Sequence, residues 1–201
     1  SGQGRTMRLR QLQINISTVD GPFGTTVPFP DGLVVIWADN SMGKSTCARA
    51  ILVALGMEAM LTTSKQDLPL PPAMTAKLDG GTLEHAVLES EVWLEIENLT
   101  GKRVTVQRTV KGSRDKNLIT VHDGPALTKP GAYPTADYFV NRSGGATRSV
   151  GFHWFLARFF GWDLPAVQTY EGSEVPLYLQ CILPFVMTEQ TRGWSSIQPP
   201  V

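Results

Sequence analysis

The run Leu33-Val34-Val35-Ile36-Trp37-Ala38-Asp39-Asn40-Ser41-Met42-Gly43-Lys44-Ser45-Thr46 constrains this chain more than any other segment. Its first five residues are all apolar and read as a buried strand. A short polar loop follows, and from Lys44 onward the pattern is helical. Strand, loop and helix in that order, with Gly-Lys-Ser closing the loop, make the context of a phosphate-binding P-loop. Backbone N–H groups at the loop and helix start can cradle an anion, and the helix dipole favours negative charge there. On this reading Asp39, Asn40, Ser41, Met42, Gly43, Lys44, Ser45 and Thr46 surround the phosphates. Lys44 reaches the outer ones, and the Ser45 hydroxyl ligates magnesium. The pattern opens on glycine, which folds tightly around phosphate, whereas this chain has Ala38. An ordinary strand-to-helix turn that carries Gly-Lys-Ser is the alternative.

Behind the loop, Ala48, Ile51, Leu52 and Leu55 follow the i, i+3, i+4, i+7 spacing of a core-facing stripe, and Gly56 is placed to end the helix. Cys47 reads as a small packing residue, since no His–Asp constellation lies near it in sequence. Lys plus Arg and Asp plus Glu are both 18 among 201 residues, so whole-surface electrostatic capture of nucleic acid is not expected. Two cysteines inside apolar segments suggest no disulfide framework. With no signal peptide and no long apolar run, the chain reads as cytoplasmic, without membrane contact. Residues 1–6, before Met7, read as a cloning remnant.

Alternation over Arg8 to Ile16 predicts a half-buried strand, Asp20-Gly21-Pro22 a turn, and Phe23 to Phe29 a return strand. The strand Leu33 to Trp37 is apolar on both faces, as central strands of a mixed or parallel sheet tend to be. A polar, proline-rich stretch, Thr62 to Gly81, is too long for a tight connection and predicts an exposed or mobile insertion. Over about 87–122 the β signal returns. Val92, Leu94 and Ile96 alternate with Trp93, Glu95 and Glu97; Thr100-Gly101-Lys102 turns the chain, and Val104, Val106, Arg108 and Val110 carry it back. Further strands are predicted at Asn117 to Val121 and Asp137 to Val140. An aromatic helix over about 150–161 carries Phe152, Phe155, Leu156, Phe159 and Phe160, with Gly161 closing it. The apolar run Pro176 to Met187 reads equally as helix or strand.

This order of elements resembles the N-terminal half of an ABC-type ATPase head, as in the structural-maintenance-of-chromosomes (SMC) and DNA double-strand-break-repair ATPases. That family's loop is typically Gly-x-Asn-Gly-x-Gly-Lys-Ser/Thr; Asn40, Gly43, Lys44 and Ser45 match it, while Ala38 and Ser41 depart. Phe185-Val186-Met187-Thr188-Glu189-Gln190 looks like the Q-loop segment (185–195). The residues after it, Thr191-Arg192-Gly193-Trp194-Ser195, resemble divergent SMC-like ATPases of prokaryotic defence systems. The resemblance implies an α/β fold: a P-loop NTPase lobe with a mixed central sheet, an antiparallel β-hairpin subdomain and flanking helices. It covers residues 7–198 and implies that a coiled coil follows. It implies ATP and Mg²⁺ as cofactors, with Gln190 serving magnesium and the attacking water.

The resemblance further implies partners: a second head half bearing the signature motif and an acidic Walker B pair, head-to-head dimers, DNA, and accessory or effector subunits. Anti-phage defence and DNA repair are the expected settings. Glu189 is the one candidate base within the chain, but no aspartate precedes it to hold magnesium. These residues alone are therefore expected to bind nucleotide weakly, if at all, and to hydrolyse it negligibly. Separately, Lys102, Arg103, Arg108, Lys111, Arg114 and Lys116 cluster on and after the hairpin and predict either a phosphate-contacting DNA patch or a solvated surface. Two other classes remain open. One is a complete P-loop kinase or small NTPase, with Glu189 or Asp137 in the chemistry. The other is an interaction module deficient in nucleotide binding.

Overall fold

A computed structural model describes residues 7–37, 39, 43–61, 68–79, 84–140, 151–170, 172–177 and 179. Two strands open the chain, β1 (Arg8–Thr18) and β2 (Gly21–Pro28). Helix α1 (Lys44–Ala54), a 3-10 turn (Glu58–Met60) and the short α2 (Pro72–Thr75) come next. Five strands follow: β3 (Lys77–Asp79), β4 (Glu84–Glu97), β5 (Arg103–Lys111), β6 (Leu118–His122) and β7 (Thr135–Phe139). Helix α3 (Phe152–Phe160) and a small hairpin, β8 (Ala166–Gln168) with β9 (Glu174–Pro176), complete the described elements.

The fold is α/β. Seven strands form one sheet in the order β2-β1-β4-β5-β6-β7, with β3 on β4, and every strand pair in it is antiparallel. Alternation makes it two-faced. Leu12, Ile14 and Ile16 of β1 lie opposite Leu94, Val92 and Ser90 of β4 and join one apolar core. The side chains between them form a polar face. There Asn15 Nδ2 donates to Glu91 at 3.0 Å and Gln107 Nε2 donates to its other oxygen at 2.8 Å. At one end of that face Glu97 accepts from Arg10 at 2.7 and 2.9 Å and from Arg103 at 2.6 Å. The Arg10 guanidinium, ahead of Arg103, holds the Glu97 carboxyl below its ordinary value.

The hairpin between β4 and β5 turns where the sequence places it. Asn98 Oδ1 accepts from the Thr100 and Lys102 amides at 3.0 Å each, and Gly101 takes the left-handed φ of 79° that the turn requires. Helix α3 ends at Gly161 (φ 63°), and its Phe155 and Phe159 rings stack at 5.8 Å.

Two expectations differ from the structure. Leu33 to Trp37 is in no strand and pairs with none of the described residues; Leu33 is 92 % and Trp37 84 % exposed. A strand apolar on both faces needs neighbours above, below and beside it, and no described strand pairs with this segment. So the described sheet is antiparallel rather than mixed. Part of the Thr62 to Gly81 insertion, in turn, is folded. Pro72 starts α2, Leu70 and Met74 reach the core, and Ser90 Oγ bonds to the Met74 carbonyl. Residues 62–67 and 80–81 lie outside the described residues.

His153 on α3 sits against the end of α1, its Nε2–H donating to the Gly56 carbonyl at 3.0 Å. Burial pushes its pKa below the ordinary value, so the folded state holds it neutral while the unfolded chain takes up a proton. Folding stability then rises with pH between the depressed folded pKa and the unfolded value near 6.5, and falls on acidification through that window. Denaturation midpoints should be lower at about pH 5.5 than at about pH 7.5. His153→Gln should flatten that slope, leaving a part to His122, which burial also depresses.

Candidate functional site

The helix expected from Lys44 onward starts there, directly after Gly43. Gly43 is the N-cap of α1 in the left-handed region (φ 86°, ψ 7°), where a side chain would be strained. It offers no side-chain cap, and the first turn of α1 carries no acidic residue. The amides of that turn therefore need acceptors from outside the helix, and nothing in the turn repels an anion. Lys44 folds back so that its Nζ donates to the Asp39 carbonyl at 2.8 Å, laying the ammonium across the loop. Ser45 is exposed and Thr46 half-buried. Asn40, Ser41, Met42 and Ala38 lie outside the described residues, as does Gln190 with the rest of 185–195.

Helix α1 buries a face turned slightly from the expected one. Cys47, Ala50, Leu52, Val53 and Ala54 are in the core, while Ala48 and Ile51 are half-buried. Cys47 is buried, and burial raises its thiol pKa, which agrees with a packing role.

The basic residues grouped in sequence do not form one surface. Lys102 pairs with Asp123 at 2.8 Å and Arg103 with Glu97 and Glu95, all at the turn end of β5. Lys111 donates to the Val87 carbonyl at 2.6 Å and Arg114 pairs with Asp137 at 2.7 Å, both at the other end. The eight-residue rise between Arg103 and Lys111 separates those ends by roughly 27 Å. Lys116 is exposed near the second group. Arg108 is a correction: it is 1 % exposed, points to the apolar face, and is bonded to Glu58, so it cannot meet DNA. Its place in the core was legible, because Val104, Val106, Arg108 and Val110 share one face by alternation.

A cleft of about 250 Å³ opens beside the second basic group, lined by Asn15, Ser17, Glu89, Glu91, Lys111 and Arg114 among others. Its two carboxylates oppose phosphate, so it adds nothing to a DNA surface. Among the described residues, no three His, Cys, Asp or Glu side chains are grouped to hold a metal. No described helix is long and apolar enough to cross a membrane.

Comparison with known proteins identifies no relative. No family model, curated protein or solved structure matches this chain. The reading of the junction therefore rests on its own residues: the left-handed Gly43, the lysine folded over the loop, and the helix that starts between them.

Proposed function

We propose that the chain is the nucleotide-binding N-terminal lobe of an SMC-like ABC ATPase head. The observation that carries this reading is the junction itself. A left-handed Gly43 opens α1, and the ammonium of Lys44 already lies across the loop at the helix's positive end. That donor set fits the phosphates of ATP with Mg²⁺. Backbone amides and Lys44 would meet the anion, and Ser45 would supply one oxygen to the metal; magnesium, when bound, neutralises phosphate charge.

A second observation supports an incomplete head. Leu33, Val35, Ile36 and Trp37 are exposed and pair with none of the described residues directly ahead of the loop. In this reading the second ATPase half covers them and brings the signature motif and the acidic pair. Dimers of such heads, working in the cytoplasm on DNA in defence or repair, with accessory subunits, complete the proposal. Lys111, Arg114 and Lys116 are the residues left to a DNA contact.

Titration with MgATP tests the junction. Binding should be measurable, and Lys44→Ala should weaken it roughly 10- to 150-fold, the equivalent of about 1.5–3 kcal/mol for a charge-assisted hydrogen bond. Equal binding by wild type and variant, or no wild-type binding at millimolar nucleotide, sinks the reading.

A further inference from the structure

Arg108 ties together three segments that are far apart in sequence. Its Nε donates to the Lys116 carbonyl at 2.8 Å, in the turn between β5 and β6. Nη1 donates to the Val53 carbonyl in the last turn of α1 at 2.6 Å and to Glu58 Oε2 at 2.8 Å. Nη2 donates to Glu58 Oε1 at 2.7 Å, which completes a two-pronged pair with the 3-10 turn. The guanidinium is planar and rigid, so these acceptors are held in one plane at fixed spacing. Burial makes each bond costly to lose, since a buried charge or carbonyl would be left without water.

The position of this fork matters as much as its strength. Val53 lies at the C-terminal end of α1, the negative end of its dipole, where a cation is favoured. Gly43 and Lys44 lie at the opposite end of the same helix. An 11-residue helix is a rod of about 16 Å, stiff enough to carry a displacement from one end to the other. On the far side of the fork is the turn 112–117, which carries Arg114 and Lys116 and borders the cleft.

We propose that Arg108 is a positioning residue that couples α1 to the β5–β6 turn. Occupation of the loop at the helix's first turn is then passed to residues 112–118 at the end of β5 and the start of β6. This rests on the phosphate-loop reading, and it adds a regulated surface to that reading.

Amide hydrogen exchange with and without MgATP tests it. In the wild type, exchange should slow at 43–48 and change by about fivefold or more at 113–118, the lower end of ordinary coupling between sites. The double variant Arg108→Met, Glu58→Leu removes both charges of the fork and keeps the volume filled. It should retain the effect at 43–48 and lose it at 113–118, which a purely structural role for Arg108 would not produce. Slowing at 43–48 without any change at 113–118 in the wild type overturns the coupling alone, with no variant required. Persistence of the distant change in a folded double variant overturns it as well. Absence of any effect at 43–48 in the wild type overturns the nucleotide reading and this inference with it.

Discussion

Arg108→Ala should lower the unfolding free energy by about 3–5 kcal/mol, a large part of the 5–15 kcal/mol that holds a typical domain together. Among the described residues the side chain is one of the largest that are fully buried, and Glu58, its ionic partner, is 5 % exposed. Removing the guanidinium takes its two-pronged ionic partner from the buried Glu58 carboxylate and a donor from each of two carbonyls, Val53 and Lys116. The attraction within such a pair is largely offset by the desolvation of both ions, so the loss comes mainly from what is left behind. Arg108→Met with Glu58→Leu removes both charges together and should therefore be much less destabilised than Arg108→Ala. Urea denaturation of wild type, single variant and pair gives the comparison. A double variant as unstable as the single one would show that the ion pair itself, and not the carboxylate left behind, is the source of the stability.

The second large effect is expected at Gly124. A Cβ there would lie 2.1 Å from Tyr133 Cδ1, 2.2 Å from Cε1 and 2.7 Å from Cγ. Spinning the ring does not relieve contacts with both its edge and its root, so the whole side chain must swing away. Tyr133 is anchored by its hydroxyl, which donates to the Lys129 carbonyl at 2.9 Å. The same loop carries Thr128, whose amide and hydroxyl donate to the fully buried Glu95 at 2.9 and 2.7 Å. Displacing the ring therefore threatens the partners of a buried carboxylate. Gly124→Ala should cost about 1–3 kcal/mol, as overpacking does. In a Tyr133→Ala background, where the obstacle is gone, it should cost less than about 0.5 kcal/mol. An equal cost in both backgrounds would assign the effect to the backbone at Gly124.

Where an element is specified by its own residues, the sequence was enough to find it. The β4–β5 hairpin follows from alternation plus the Thr100-Gly101-Lys102 turn, and α3 from an aromatic stripe stopped by Gly161. Elements that depend on distant neighbours were not legible in the same way. Leu33 to Trp37 has the composition of a central strand, but a strand exists only where another strand offers its edge. The face of α1 that turns inward depends on what α1 packs against, and Cys47 and Ala50 are small enough to let the sheet approach. At the candidate site, Gly43 and Lys44 stand out in the sequence because the motif that holds them is short and contiguous. The basic residues misled because nearness in sequence along a strand is not nearness in space. Side chains alternate between faces, and β5 spreads the cluster over its length.

Strand β1 finds its partner β4 far along the chain: Asn15 bonds to Glu91 over 76 positions. Closing a loop of that length costs roughly 2 kcal/mol more chain entropy than closing a five-residue hairpin turn. Strands β4 to β7 are joined to one another by short connections, so this closure is the main non-local step in assembling the sheet. The candidate phosphate loop and the helix behind it lie inside the closed segment, between β2 and β4. Pairing β1 with β4 therefore anchors both ends of that segment, from β2 to β4.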